Sequence, residues 1–96
     1  MSPLKKKKLN KIRHELDKLD NSLIKLIKKR TNLVKKVLAL KNKKSQIVDQ
    51  KRIRSILKNI KKKSLKNNID PKITSRIWKN MIFAYIDFER RNFKKK

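Results

Sequence analysis

The sequence predicts an all-α protein with three helices per chain, the first by far the longest, that pairs with a second copy as a helical homodimer. Three observations predict it. There is no glycine in the 96 residues, which removes the tight hairpin turns of most small sheet proteins. Leu9, Leu16, Leu23, Arg30 and Val37 repeat at one heptad position, and Ile12, Leu19, Leu26, Leu33 and Leu40 at the other. That is the seam of a long packed helix. Finally, a core of this size is marginal unless it shares burial with a second chain.

Residues 1–8 read as a basic N-terminal tail, 9–93 as one domain and 94–96 as a basic C-terminal tail. The seam predicts a first helix from about Leu9 to about Lys41, about 50 Å long at 1.5 Å per residue. A compact globule of this chain length is only about 30 Å across, so the helix overhangs its own domain and a second protomer covers the rest. Asn42 to Gln46 reads as a loop. Asp49 is a cap for a second helix through Ile53, Ile56, Leu57 and Ile60, ending near Asn67 and Asn68. Asp70 before Pro71 is a strong third start, a capping carboxylate followed by a proline at the first helical position. The third helix turns Ile73, Ile77, Trp78, Met81, Ile82, Tyr85, Ile86 and Glu89 toward its buried side.

Composition excludes more than it specifies. Without cysteine there are no disulfides, thiolate metal sites or cysteine nucleophiles. Without glycine there are no phosphate-cradling loops. The scattered acids do not build a metal site. No stretch approaches the roughly 20 apolar residues of a membrane span, and Met1 to Lys8 is not followed by the apolar run of a signal peptide, so a cytoplasmic protein is expected. The net charge of +25 suggests a polyanionic partner. Against that, the lysines spread over every exposed face and few aromatics interleave them, so specific nucleic-acid binding is not expected.

The informative residue is Arg30, the one break in the apolar seam. A guanidinium does not shed its proton, and burying it without an anion costs several kcal/mol. Either it snorkels or pairs with an acid from elsewhere, or its anion is a ligand. Lys41 lies eleven residues on, three turns, and projects from nearly the same face. Arg13 points about a quarter turn away, and in an antiparallel pairing it serves the partner's site. Glu89, four residues after Tyr85, is an acid on an apolar face that either pairs with a base or joins the site. His14 occupies an outward position, and Ser22, Ser45, Ser55, Ser64 and Ser75 lack histidine and carboxylate partners for acyl chemistry. What remains is a cationic pocket with one acid, suited to a small polyanion.

Residues 12–20, Ile-Arg-His-Glu-Leu-Asp-Lys-Leu-Asp, then Lys29-Arg30, Leu33-Val34, Val37 and Leu40-Lys41, resemble the first helix of the all-helical chorismate mutases in their short monofunctional form. The resemblance continues through Asp49-Gln50-Lys51-Arg52, Ile69-Asp70-Pro71 and Ile77-Trp78-Lys79-Asn80-Met81-Ile82 to Tyr85 and Glu89. It implies an isomerase that needs no cofactor, an intertwined homodimer with two sites, and a place in the shikimate pathway of aromatic amino acid biosynthesis. By this resemblance Arg30 and the partner's Arg13 hold the carboxylates of chorismate. Arg52 and the Asp49 region line the site near the second helix, with Ile53 and Tyr85 beside it. Lys41 and Glu89 flank the ether oxygen.

The chain departs from the family pattern twice. Many members carry glutamate where Ile53 stands, contacting the substrate hydroxyl, and many carry glutamine where Glu89 stands. An aliphatic residue at 53 is similar to the related isochorismate pyruvate-lyases as well as to a group of short mutases, so the lyase is the alternative within the fold. A basic helical nucleic-acid-binding protein is the alternative outside it.

Overall fold

A computed structural model describes residues 1–94 of the chain; Lys95 and Lys96, and with them most of the expected 94–96 tail, lie outside the described residues. The described residues form three α-helices and one short turn: α1 Pro3–Leu40, a single 3-10 turn Lys44–Gln46, α2 Gln50–Lys66 and α3 Pro71–Asn92. Among the described residues no helix is long and apolar enough to cross a membrane. The chain divides into two compact units, Met1–Leu33 and a second from Val34 onward.

The first helix begins at Pro3, not near Leu9. Ser2 and Pro3 are its start signal. The Ser2 hydroxyl oxygen accepts the Lys5 N–H at 3.2 Å, the Ser2 carbonyl accepts the Lys6 N–H at 2.9 Å, and Pro3 occupies the first helical position. The lysine run that follows has good helix propensity and nothing to break it. Within the first unit Ile12, Leu16, Leu19, Leu23, Leu26 and Leu33 are each more than half exposed.

In the second unit the core is Leu38, Ile47 and Ile86, with Val48, Ile53, Ile82 and Phe93 packed on it. Asp49 and Asp70 cap their helices as expected: an Asp49 carboxylate oxygen accepts the Arg52 N–H at 3.0 Å, and one of Asp70 accepts the Lys72 N–H at 2.9 Å. The α2 end is a Schellman motif. Ile69 N–H bonds the Ser64 carbonyl at 2.9 Å and Asn68 N–H the Leu65 carbonyl at 3.2 Å. Asn68 takes the left-handed conformation, φ 57°, the position usually given to glycine, because asparagine tolerates it best among the other residues.

The inward stripe of α3 departs from expectation at its start, where Ile73 and Ile77 are exposed. Thr74 takes the inward place instead. Its hydroxyl shares a 2.6 Å hydrogen bond with that of Ser64 on α2. Ser64 Oγ also reaches the Ile60 carbonyl at 2.6 Å and Thr74 Oγ1 the Pro71 carbonyl at 3.4 Å, and either hydroxyl can donate between the two. From Trp78 onward the stripe runs as expected, with Trp78, Met81, Ile82, Tyr85, Ile86 and Glu89 buried or half-buried.

Candidate active site

The end of α1 builds the site's first wall. Leu38 is buried and fixes the last turn, and Lys41 N–H closes that turn on the Leu38 carbonyl at 3.0 Å. Lys41 is thereby the first residue past the helix, with its direction set by the core beneath it. After it the Gln46 side chain folds the connection back. Its carbonyl oxygen accepts the N–H of Asn42 at 2.7 Å and of Lys43 at 3.0 Å.

The α3 contribution is Glu89. It sits one turn beyond half-buried Tyr85 and is itself buried. Its Oε1 accepts a hydrogen bond from Lys41 Nζ at 2.9 Å, the side chains being 8% and 18% exposed respectively. A pair this dry is costly to desolvate and strong once formed. The alternative that Glu89 pairs with a base is therefore what the structure holds, and the base is Lys41.

Lys41 also lines an open depression of about 460 Å³ with Leu40, Gln46, Val48, Asp49 and Gln50. Lys41 thus joins the Glu89 pair to the N-terminus of α2. There Asp49 is occupied in part as the α2 cap and Arg52 is exposed one turn on. Ile53 faces the other way and packs on the core cluster. Of the expected site residues in the second unit, Lys41 pairs with Glu89 and lines the depression with Asp49; Arg52 is exposed one turn on along α2, Tyr85 precedes Glu89 by one turn on α3, and Ile53 packs on the core cluster.

Arg13 and Arg30 belong to the first unit. Arg13 is exposed. Arg30 is half-buried, with its Nε shielded from solvent, as its place in the seam implies. Gln46 and Val48, which help wall the depression, were not singled out from sequence. A glutamine that returns its side chain to the backbone three and four residues earlier leaves only a weak local signal.

Comparison with known proteins decides the family. Residues 12–90 match the family described as chorismate mutase type II. The chain belongs to the chorismate mutase type II family. It is similar to a chorismate mutase from Methanocaldococcus jannaschii, 36% identical over 76 residues that cover 78% of this chain and 77% of that protein. No solved structure matches. Membership makes the chain an isomerase of all-helical fold. The family match starts at Ile12, so the first turns of α1, with Lys5 to Lys8, precede the matched segment.

Proposed function

We propose that this chain rearranges chorismate to prephenate at a site in which Lys41, Glu89 and Arg30 are catalytic and Arg13, Asp49, Arg52, Ile53 and Tyr85 complete the lining. The observation that carries the reading is the Lys41–Glu89 pair. Two residues 48 apart in the sequence meet at 2.9 Å, at the two positions where the family resemblance calls for groups flanking the ether oxygen.

The reaction is unimolecular. The ether C–O bond to the ring breaks as a carbon–carbon bond forms at the other end of the enolpyruvyl group, and no group is transferred to the protein. The protein's task is to hold the side chain folded over the ring and to stabilise the negative charge that builds on the ether oxygen. Arginine forks suit the carboxylates because bidentate charge-assisted bonds fix orientation as well as position. Lys41, held at the end of α1, supplies a preorganised positive charge. Glu89 assists the same oxygen only as a donor, hence only when protonated.

The exposed seam of α1 supports a homodimer. Six large aliphatic side chains, each more than half exposed along one helix, form an apolar patch that a stable monomer rarely carries. Light scattering at micromolar concentration should give twice the 11.6 kDa chain mass. A helical monomer at that concentration contradicts the dimer.

A pair of substitutions tests Glu89. Glu89→Gln keeps a donor toward the ether oxygen and should preserve or raise turnover, whereas Glu89→Ala removes it and should lower turnover about tenfold or more. Equal turnover in the two variants removes Glu89 from the site.

The second reading is the isochorismate pyruvate-lyase, which the aliphatic Ile53 fits as well as it fits the short mutases. The Ile53 side chain packs on the core and offers no acceptor for a substrate hydroxyl. Incubation with chorismate and, separately, isochorismate distinguishes the two: prephenate from the first supports the mutase, pyruvate from the second the lyase.

A further inference from the structure

Helix α2 carries a charge pattern that the isomerase chemistry does not use. Its inward residues are Ile53, Ile56, Leu57, Ile60 and Ser64, all buried or half-buried. On the solvent side stand Lys51, Arg54, Lys58, Lys61, Lys62 and Lys66, every one exposed. Arg54, Lys58, Lys62 and Lys66 are four residues apart in succession and so form one ridge along the helix, with Lys51 and Lys61 flanking it. No acid occurs between Asp49 and Asp70, and both of those carboxylates are engaged as helix caps.

The arrangement is unfavourable for the helix on its own. Like charges at i,i+4 destabilise by a few tenths of a kcal/mol for each pair, and three such pairs follow one another here with no acid interposed. A polyanion laid on the ridge converts this repulsion into attraction. We propose that the outer face of α2 is a binding surface for the phosphate backbone of a single-stranded nucleic acid, read without regard to base sequence.

Three features choose this occupant over an anionic membrane. The six cations lie on a ridge about 22 Å long from Lys51 to Lys66, a continuous track for one flexible strand with each cation available to one phosphate. A helix that lies on a membrane inserts its apolar face, and the apolar face of α2 is already committed to the core and α3. The solvent face carries one exposed aliphatic residue, Leu65, and no aromatic residue, so neither lipid insertion nor base stacking is available. Charge alone acts, which makes the binding indifferent to sequence. Lysines taken over the whole chain fall on all faces; on α2 the packing of one side sorts them onto the other.

The test uses the full chain and a fluorescein-labelled oligouridylate of about 20 nucleotides, followed by anisotropy between about 50 and 200 mM salt. With six contacts the logarithm of affinity should fall against the logarithm of salt with a slope of about −4. The variant Arg54→Gln, Lys58→Gln, Lys62→Gln should bring the slope to about −2 and weaken binding at least tenfold at the low-salt end. A charge-matched control, Lys5→Gln, Lys6→Gln, Lys7→Gln, should leave the slope within one unit of the parent.

Equal losses in the two triple variants assign binding to net charge and overturn the proposal. So does ridge-dependent binding to phosphatidylglycerol vesicles without RNA binding, since the occupant is then a membrane. Turnover of chorismate and the helical circular dichroism spectrum report that each variant is folded. Should the triple variant fail to fold, the three single variants still decide, each expected to lower the slope by about 0.7.

Discussion

Replacing Lys41 with methionine should lower turnover on the order of a hundredfold or more, with a much smaller change in the Michaelis constant. Methionine keeps much of the apolar stem and removes the charge. The interaction lost is the one that strengthens as the ether oxygen gains electron density, so the loss falls on the chemical step. The structure adds a complication, because Lys41 is also the partner of buried Glu89. Removing one member of a fully dry pair costs about 3–5 kcal/mol, and less here because Lys41 retains some exposure. The double variant Lys41→Met, Glu89→Gln separates the two roles. It relieves the stranded carboxylate and should recover much of the melting temperature lost by Lys41→Met alone, while turnover stays low. Recovery of turnover together with stability shows that Lys41 positions Glu89 and does not act on the substrate. A raised Michaelis constant with unchanged turnover shows uniform binding instead.

Local signals made much of this fold legible in the sequence. Asp49 and Asp70-Pro71 announce helix starts because a cap is a contact within three residues, and both caps form. The end of α2 was legible as a pair of asparagines for the same reason. Ser2-Pro3 carries an equally local start signal, yet it is followed by lysines instead of an apolar period, so the extension of α1 was hidden in a run that reads as a tail. The inward face of α3 was right from Trp78 onward and departed at Ile73 and Ile77, where the Ser64–Thr74 hydrogen bond is a tertiary choice that hydrophobic periodicity does not encode. The Lys41–Glu89 contact is of the same kind. Sequence placed each residue on an apolar-side face and left the partner of Glu89 open; only the folded second unit names it.

Equal mixing of two inactive chains, Arg13→Ala and Arg30→Ala, should restore activity to about a quarter of the wild-type level. Each variant alone should lose on the order of a hundredfold or more, since each removes a charge-assisted anchor of the substrate. The two arginines lie seventeen residues apart on the unbroken helix α1, which separates them by about 25 Å along its axis. Two extended arginine side chains do not span that distance to a single small dianion. If both serve one site, they come from different chains. In a two-fold dimer each site then draws Arg30 from one protomer and Arg13 from its partner. Random exchange makes half of the dimers mixed, and each mixed dimer has one site with both arginines intact and one with neither. No recovery after exchange has been verified by mass spectrometry means that the arginines act within one chain, and Arg13 then has no place in the same pocket as Arg30.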